Sequence, residues 1–185
     1  MKIEASKTFR LVVAAAVTLA RRKLALAACV ALCTVGLAFS QSDDEATIIT
    51  FDAPGAVNAT FVSGINPAGA ITGFYRDVNF VYHGFLRAPD GAITTLDAPG
   101  AGTGFFQGTA ASAINPAGAI AGNCTDANFV THGFLRARDG TFTTFDPAGS
   151  TSTSAGTINP EGTVAGGYTD ANGVSHGFLR IPHGK

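Results

Sequence analysis

Beyond residue 40 the chain has one cysteine, Cys124, and no tryptophan. Cys29 and Cys33 both fall before that point, so a chain cleaved there forms no intrachain disulfide and has to be held by its core. Positive charge is scarce in the same region. Residues 1–40 carry six of the twelve Lys and Arg but one of the thirteen Asp and Glu, which leaves six basic and twelve acidic side chains and a net charge of −6. That excludes nucleic acid as a partner, because displacing counterions from phosphates requires clustered Lys and Arg. There is also no Gly-x-Ser-x-Gly elbow, no His-Glu-x-x-His and no phosphate loop. No catalytic residue and no cofactor are expected from the sequence, and no helical period is present past residue 46.

The first forty residues read as an export segment. Lys2, Lys7 and Arg10 lead into apolar residues 11–20, and Arg21, Arg22 and Lys23 into a second apolar run, Leu24 to Phe39. Ala38-Phe39-Ser40 supplies the small residues a signal peptidase needs. Cleavage before Gln41 would place the protein in the periplasm or outside a bacterial cell. The alternative is a lipoprotein: Leu26-Ala27-Ala28-Cys29 resembles a lipobox that would anchor the chain through Cys29, although only five apolar residues separate Lys23 from Cys29. Uncleaved, the run from Leu24 to Phe39 falls slightly short of the ~17 residues a membrane span takes. A membrane is therefore expected only through an uncleaved or lipidated N-terminus. Residues 41–46 read as a flexible acidic linker. About 145 residues remain, enough to bury about two-thirds of their unfolded surface as one domain.

What fills residues 47–185 is one stretch spelled three times: INPAGAITGFYRDVNFVYHGFLR from Ile65, INPAGAIAGNCTDANFVTHGFLR from Ile114 and INPEGTVAGGYTDANGVSHGFLR from Ile158. Three units follow, at about 47–91, 92–140 and 141–185. Each is read as four short strands. Thr47 to Asp52, Ile93 to Asp97 and Phe142 to Asp146 are rich in β-branched and aromatic residues, as a half-buried pleated surface prefers. A second strand leads into Ile65, Ile114 and Ile158. Asn-Pro-x-Gly then suits a type I turn, with Pro setting φ and Asn bonding its own backbone. In the third strand Ile71, Gly73 and Tyr75 keep their character in every copy, with Cys124 in place of the tyrosine in the second, while Thr72 and Phe74 drift to Ala121 and Asn123 and to Ala165 and Gly167. Period-two alternation puts the constant set inside, the drifting set outside, and makes Cys124 a quiet core thiol. Asp-x-Asn turns at Asp77, Asp126 and Asp170 lead into the fourth strand, His-Gly-Phe-Leu-Arg, whose two faces are both constant. That strand is expected between two neighbours.

The repeated INxxGxIxG, turn and H-G-F-L resemble the secreted bacterial repeats of the HAF family over about Thr47 to Arg180, with Gly84, Gly133 and Gly177 where the family name has Ala. The resemblance implies blades like those of a β-propeller, each of four antiparallel strands. It implies no activity. Period and strand count suit a blade, but three copies fall short of the ~4–8 blades of a propeller. The expected fold is thus all-β, with three four-stranded antiparallel units in a propeller-like arrangement. The arrangements left open are a closed three-sheet body like a β-prism or β-trefoil, an open three-blade arc, or a homodimer that completes a ring. Pairing of Thr47 to Asp52 with Ser175 to Arg180 would close one chain.

Four sets of residues are candidates for function. His83, His132 and His176 would be equivalent about a threefold axis, where three imidazoles can bind zinc; the plainer reading has each bonded within its own unit, to Asp77, Asp126 or Asp170. Arg87, Arg136 and Arg180 could pair with Asp52, Asp97 and Asp146, or form a ring that binds an anionic sugar. The Asp-x-Asn turns offer two oxygens each, against the ~6–8 that calcium takes. Phe105 and Phe106 stand in the one loop that breaks the repeat, Gly102 to Gln107. Loops that depart from a scaffold's pattern carry function, and exposed aromatics there point to a glycan or protein partner. The function expected is an exported, non-catalytic binding or scaffolding module. The alternative is an extracellular polysaccharide hydrolase or lyase with two unpaired Asp of different repeats at one mouth.

Overall fold

In a computed structural model of the chain, residues 46–57 and 59–182 are described. The export segment expected at residues 1–40, and with it Cys29, lies outside them, as does the linker up to Glu45. The described residues are all-β and contain no helix. Eight strands make one sheet: β1 (Ala59–Ile65), β2 (Ile71–Arg76), β3 (Tyr82–Arg87), β4 (Ile93–Leu96), β5 (Gly108–Ile114), β6 (Ile120–Thr125), β7 (Thr131–Arg136) and β8 (Phe142–Phe145). Three more, β9 (Ser150–Ile158), β10 (Val164–Asp170) and β11 (Ser175–Arg180), make a second. Neither sheet closes on itself.

The same antiparallel registers recur along the chain. Gly73, Gly122 and Gly166 lie opposite Phe85, Phe134 and Phe178. A side chain at Gly73 would meet both the Phe61 carbonyl and the Phe85 ring, so the phenylalanine fills the space the glycine leaves. β3 lies between β2 and β4, and β7 between β6 and β8, as expected of the His-Gly-Phe-Leu-Arg strand, whereas in the third copy β11 has β10 alone beside it among the described residues. One parallel bridge, Tyr82 to Gly108, joins β3 to β5.

Two expectations are corrected. Thr47 to Asp52 forms no strand. Its counterparts Ile93–Leu96 and Phe142–Phe145 pair backwards, onto the His-Gly-Phe-Leu-Arg strand that precedes each of them. No strand of the described residues precedes Thr47 to Asp52, and the pairing with Ser175 to Arg180 that would close the chain is not made: β11 pairs with β10 alone among the described residues. The drifting face of the third strand is not outside either. Thr72 and Ala121 are fully buried, Thr72 donating its hydroxyl to the Phe85 carbonyl at 2.8 Å and Ala121 packing with Ala155, Ile158 and Val164 from the second sheet. Neighbouring groups of strands cover that face, and their unlike contacts are why it drifts.

The core is accordingly built between groups as well as within them. Leu96, Ala98, Ala111, Ile120, Cys124 and Phe134 form one cluster, with Leu86 and Ile114 against it. The Asn side chains of the first two Asn-Pro turns add polar links. Asn66 accepts from the amides of Ala68 and Ala70 through Oδ1, closing its own turn, and donates Nδ2 to the Asn115 carbonyl at 3.3 Å. Asn115 in turn donates to the Asn159 carbonyl at 3.2 Å.

Candidate binding surface

The loop that breaks the repeat is pinned by one buried side chain. Gln107 accepts from the Gly104 amide at 2.8 Å and donates to the Ala127 carbonyl at 3.1 Å. Backbone bonds from Gly102 to Thr125, from Phe106 to Phe80 and from Tyr82 to Gln107 fix it to both flanking turns. Phe105 and Phe106 stay exposed on this frame.

They are part of a larger patch. The rings of Phe105 and Phe106 are 4.1 Å apart, Phe80 lies 5.4 Å from Phe105, and Tyr82 stacks on Phe106 at 6.0 Å. Tyr82 meets Phe74 at 5.7 Å, and Phe74 stacks on Phe61 at 4.9 Å. The Arg76 guanidinium stands 5.7 Å from both Phe61 and Phe80. Beside the patch runs a groove of about 190 Å³ lined by Phe74, Tyr82, Gly108, Ala110, Asn123 and Thr125. Phe80 and Phe106 have φ of 62° and 58°, in the left-handed region that costs a bulky residue about 1–2 kcal/mol. At Phe80 the strain belongs to the Asp-x-Asn turn, since Phe129 adopts the same φ in the next copy. Phe106 has no such counterpart.

Phe61, Phe74, Tyr82 and Arg76 were not expected on this surface. The first copy did carry a signal: at the positions of Phe61, Phe74 and Tyr82 the later copies have Ala110, Asn123 and Thr131, then Ser154, Gly167 and Ser175. Only the first copy puts rings there.

The three histidines are not brought together. Among the described residues no group of three His, Cys, Asp or Glu side chains is placed to hold a metal ion. Each imidazole is bonded locally: His83 Nδ1 to Asp97 at 2.9 Å, His132 Nδ1 to Asp146 at 2.7 Å, and His176 Nε2 to Asp170 at 3.3 Å. Asp77 and Asp126 stand 3.8 Å from the other nitrogen of His83 and His132. The hydrogen bond to Asp146 raises the pKa of His132 despite partial burial. The turn aspartates titrate low: for Asp126 and Asp170 because the amides of Val130 and Val174 donate to the carboxylate, and for Asp77 because two such amides and His83 outweigh its desolvation.

Cys124 occupies the site of a ring. Tyr75 and Tyr168 stack on His83 and His176 at 5.1 and 4.9 Å. In the second copy that space is a cavity of about 380 Å³ lined by Pro99, Gly100, Cys124, Asp126, His132, Thr144 and Asp146. Burial, with Asp146 and Asp126 nearby, pushes the Cys124 thiol up to about 11. A thiol so far from ionising is no nucleophile.

Arg87, Arg136 and Arg180 do not pair with the aspartates. Asp97 and Asp146 are taken by histidines, and the guanidiniums lie over rings instead: Arg87 over Phe51 at 4.8 Å, Arg136 over Phe142 at 5.9 Å and Arg180 over Phe145 at 5.1 Å. These are three separate stacks, each at the end of its own strand. No protein-family model matches the chain, and neither does any curated protein or solved structure.

Proposed function

We propose that the protein is an exported, non-catalytic repeat module of the HAF type, its strands arranged as propeller-like blades, and that it binds a glycan through the aromatic patch around Phe105 and Phe106. The patch carries this reading. A sugar ring offers a flat C–H face to an aromatic side chain and hydroxyls to its surroundings, and here the exposed rings of Phe105 and Phe106 adjoin the half-buried Tyr82, which with Phe74, Asn123 and Thr125 lines a groove. Because Gln107 fixes the loop, little ordering cost falls on binding. The Arg stacks are a weaker candidate for an anionic sugar, since each guanidinium already faces a ring.

A hydrolase or lyase would need two free carboxylates facing one space. The aspartates lining the cavity beside Cys124, Asp126 and Asp146, are held by turn amides and by His132. The test is retention of the protein on a panel of immobilised bacterial and plant polysaccharides. The wild-type chain is expected to be retarded by at least one, and the Phe105→Ala/Phe106→Ala variant to run unretarded. Equal retention of both would remove the patch as the binding site. Retention by no glycan, with patch-dependent capture by a purified surface protein, would replace the glycan with a protein.

A further inference from the structure

The two ends of the strand array have complementary unpaired faces. Equivalent positions in successive groups show this most directly. Val62, Ala111 and Ala155 each stand opposite the constant glycine of the next strand. Ala111 and Ala155 are 0% exposed, because the preceding group covers them, whereas Val62 is 57% exposed. Ile114 and Ile158 likewise pack against the preceding group, Ile114 beside Leu86 and Ile158 beside Leu135, while their counterpart Ile65 is 66% exposed. At the far end the pattern inverts. Leu86 and Leu135 are packed, and Leu179, in the same His-Gly-Phe-Leu-Arg strand, is 69% exposed. The first group therefore lacks what the last group offers.

Three further features point the same way. Among the described residues no strand lies beyond β11, yet β3 and β7 each have a fourth strand beside them. Ile48-Ile49-Thr50-Phe51-Asp52 has the pattern of those fourth strands and stands unpaired, with Ile48 and Ile49 exposed. Its Phe51 already does half of what Leu96 and Phe145 do: Phe51 packs edge-on against Phe85 at 6.2 Å, as Phe145 packs against Phe178, but no strand lies behind it. His176 also lacks the carboxylate that Asp97 and Asp146 give Nδ1 of His83 and His132, and Asp52 is the aspartate at that position in the unpaired segment. Finally, the Asn66–Asn115–Asn159 chain ends on an exposed asparagine.

We propose that the chain self-associates head to tail, the β11 end of one copy docking on the β1 end of a second. Leu179 packs on Val62 and Ile65 of the second copy. Residues 48–52 of that copy add antiparallel beside β11 in the register of β3 with β4: Gly177 opposite Phe51, Phe178 opposite Thr50, Leu179 opposite Ile49 and Arg180 opposite Ile48. Asp52 then pairs with His176, and Asn159 donates to the Asn66 carbonyl. An open edge beside an exposed apolar face is what strand addition satisfies, with main-chain bonds and alternate side chains acting together. The contact is heterologous, so each assembly keeps one free end of each kind until a ring closes.

Sedimentation of the full chain tests this, alone and in mixtures. The wild-type protein is expected at two or more chain masses. Ile65→Asp and Leu179→Asp are each expected to sediment as a monomer, with unchanged far-ultraviolet circular dichroism, since both side chains are exposed in the single chain. Mixed together, these two variants should form a one-to-one dimer, because each retains the face the other has lost. A monomeric wild-type protein, a wild-type oligomer that both variants leave intact, or a mixture that stays monomeric would overturn the proposal. The register is read by oxidising a mixture of an Ile49→Cys chain with a Leu179→Cys chain, both carrying Cys29→Ala and Cys33→Ala. A disulfide-linked dimer is expected, and its absence rules out the strand addition.

Discussion

Asn66 donates its side-chain amide to the backbone carbonyl of Asn115, 49 residues away, at 3.3 Å, and both residues are buried. The bond joins two turns that the sequence shows only as copies of each other. Asn115 repeats it to Asn159, so one residue type closes its own turn and ties that turn to the next. An alanine at residue 115 keeps the backbone carbonyl that Asn66 uses but removes the donor to the Asn159 carbonyl and the acceptor of the Ala119 amide, inside a buried turn. Asn115→Ala should destabilise the protein by about 1–3 kcal/mol. Urea denaturation checks this against Asn159→Ala, which should cost less because Asn159 is exposed.

Phe129 sits at φ 62° with an exposed ring, where the third copy has Gly173 at φ 78°. Relief of left-handed strain outweighs the added freedom of a glycine in the unfolded chain. Phe129→Gly should therefore stabilise by about 0.5–1 kcal/mol. Phe80→Gly, at the matching turn, should weaken glycan retention, because Phe80 supports Phe105. Thermal melts of both and retention of the second are the measurements.

Filling the cavity beside Cys124 should stabilise the fold. Cys124→Tyr restores the ring that stacks on histidine in the other copies, within a space whose wall matches the surroundings of Tyr75. A gain of about 0.5–2 kcal/mol is expected, and a loss would show that the cavity has closed to a different shape. The wild-type thiol should also resist alkylation at neutral pH until urea unfolds the chain.

The His132–Asp146 bond predicts a pH dependence. His132 has its pKa raised in the folded state, so its contribution is complete below about pH 6.5, the unfolded value, and is lost as pH rises through the folded value. Asp77, Asp126, Asp139 and Asp170 have lowered values. Their contribution is present above about pH 4 and is lost as pH falls through the folded values. Stability should thus peak in mildly acidic solution, between those limits. The decline on the alkaline side should shrink in His132→Gln, as melts across the range would show.

The succession of strands from the Asn-Pro turn to His-Gly-Phe-Leu-Arg was legible because each feature is local, whereas the place of Ile93–Leu96 and Phe142–Phe145 beside the preceding strand was not. Asn-Pro-x-Gly, Asp-x-Asn and the constant glycines set turns and close approaches within a few residues. The burial of Thr72 and Ala121 was not legible, because what covers them comes from another group with other side chains. Nor was the aromatic patch beyond Phe105 and Phe106: its members come from β1, β2 and β3 and from the loop before β5. Their unity depends on how the hairpins stack.

The sequence by itself determined an all-β chain, the place of its turns and the buried Cys124, since period-two alternation and turn chemistry act through neighbours on the chain. Tertiary structure decided which strand each His-Gly-Phe-Leu-Arg segment pairs with, and so that Thr47 to Asp52 is left without a partner. It also turned Asp97 and Asp146 toward histidine rather than arginine. Both outcomes depend on what lies beside an edge in space, and a repeated sequence gives each copy the same edge but not the same neighbour.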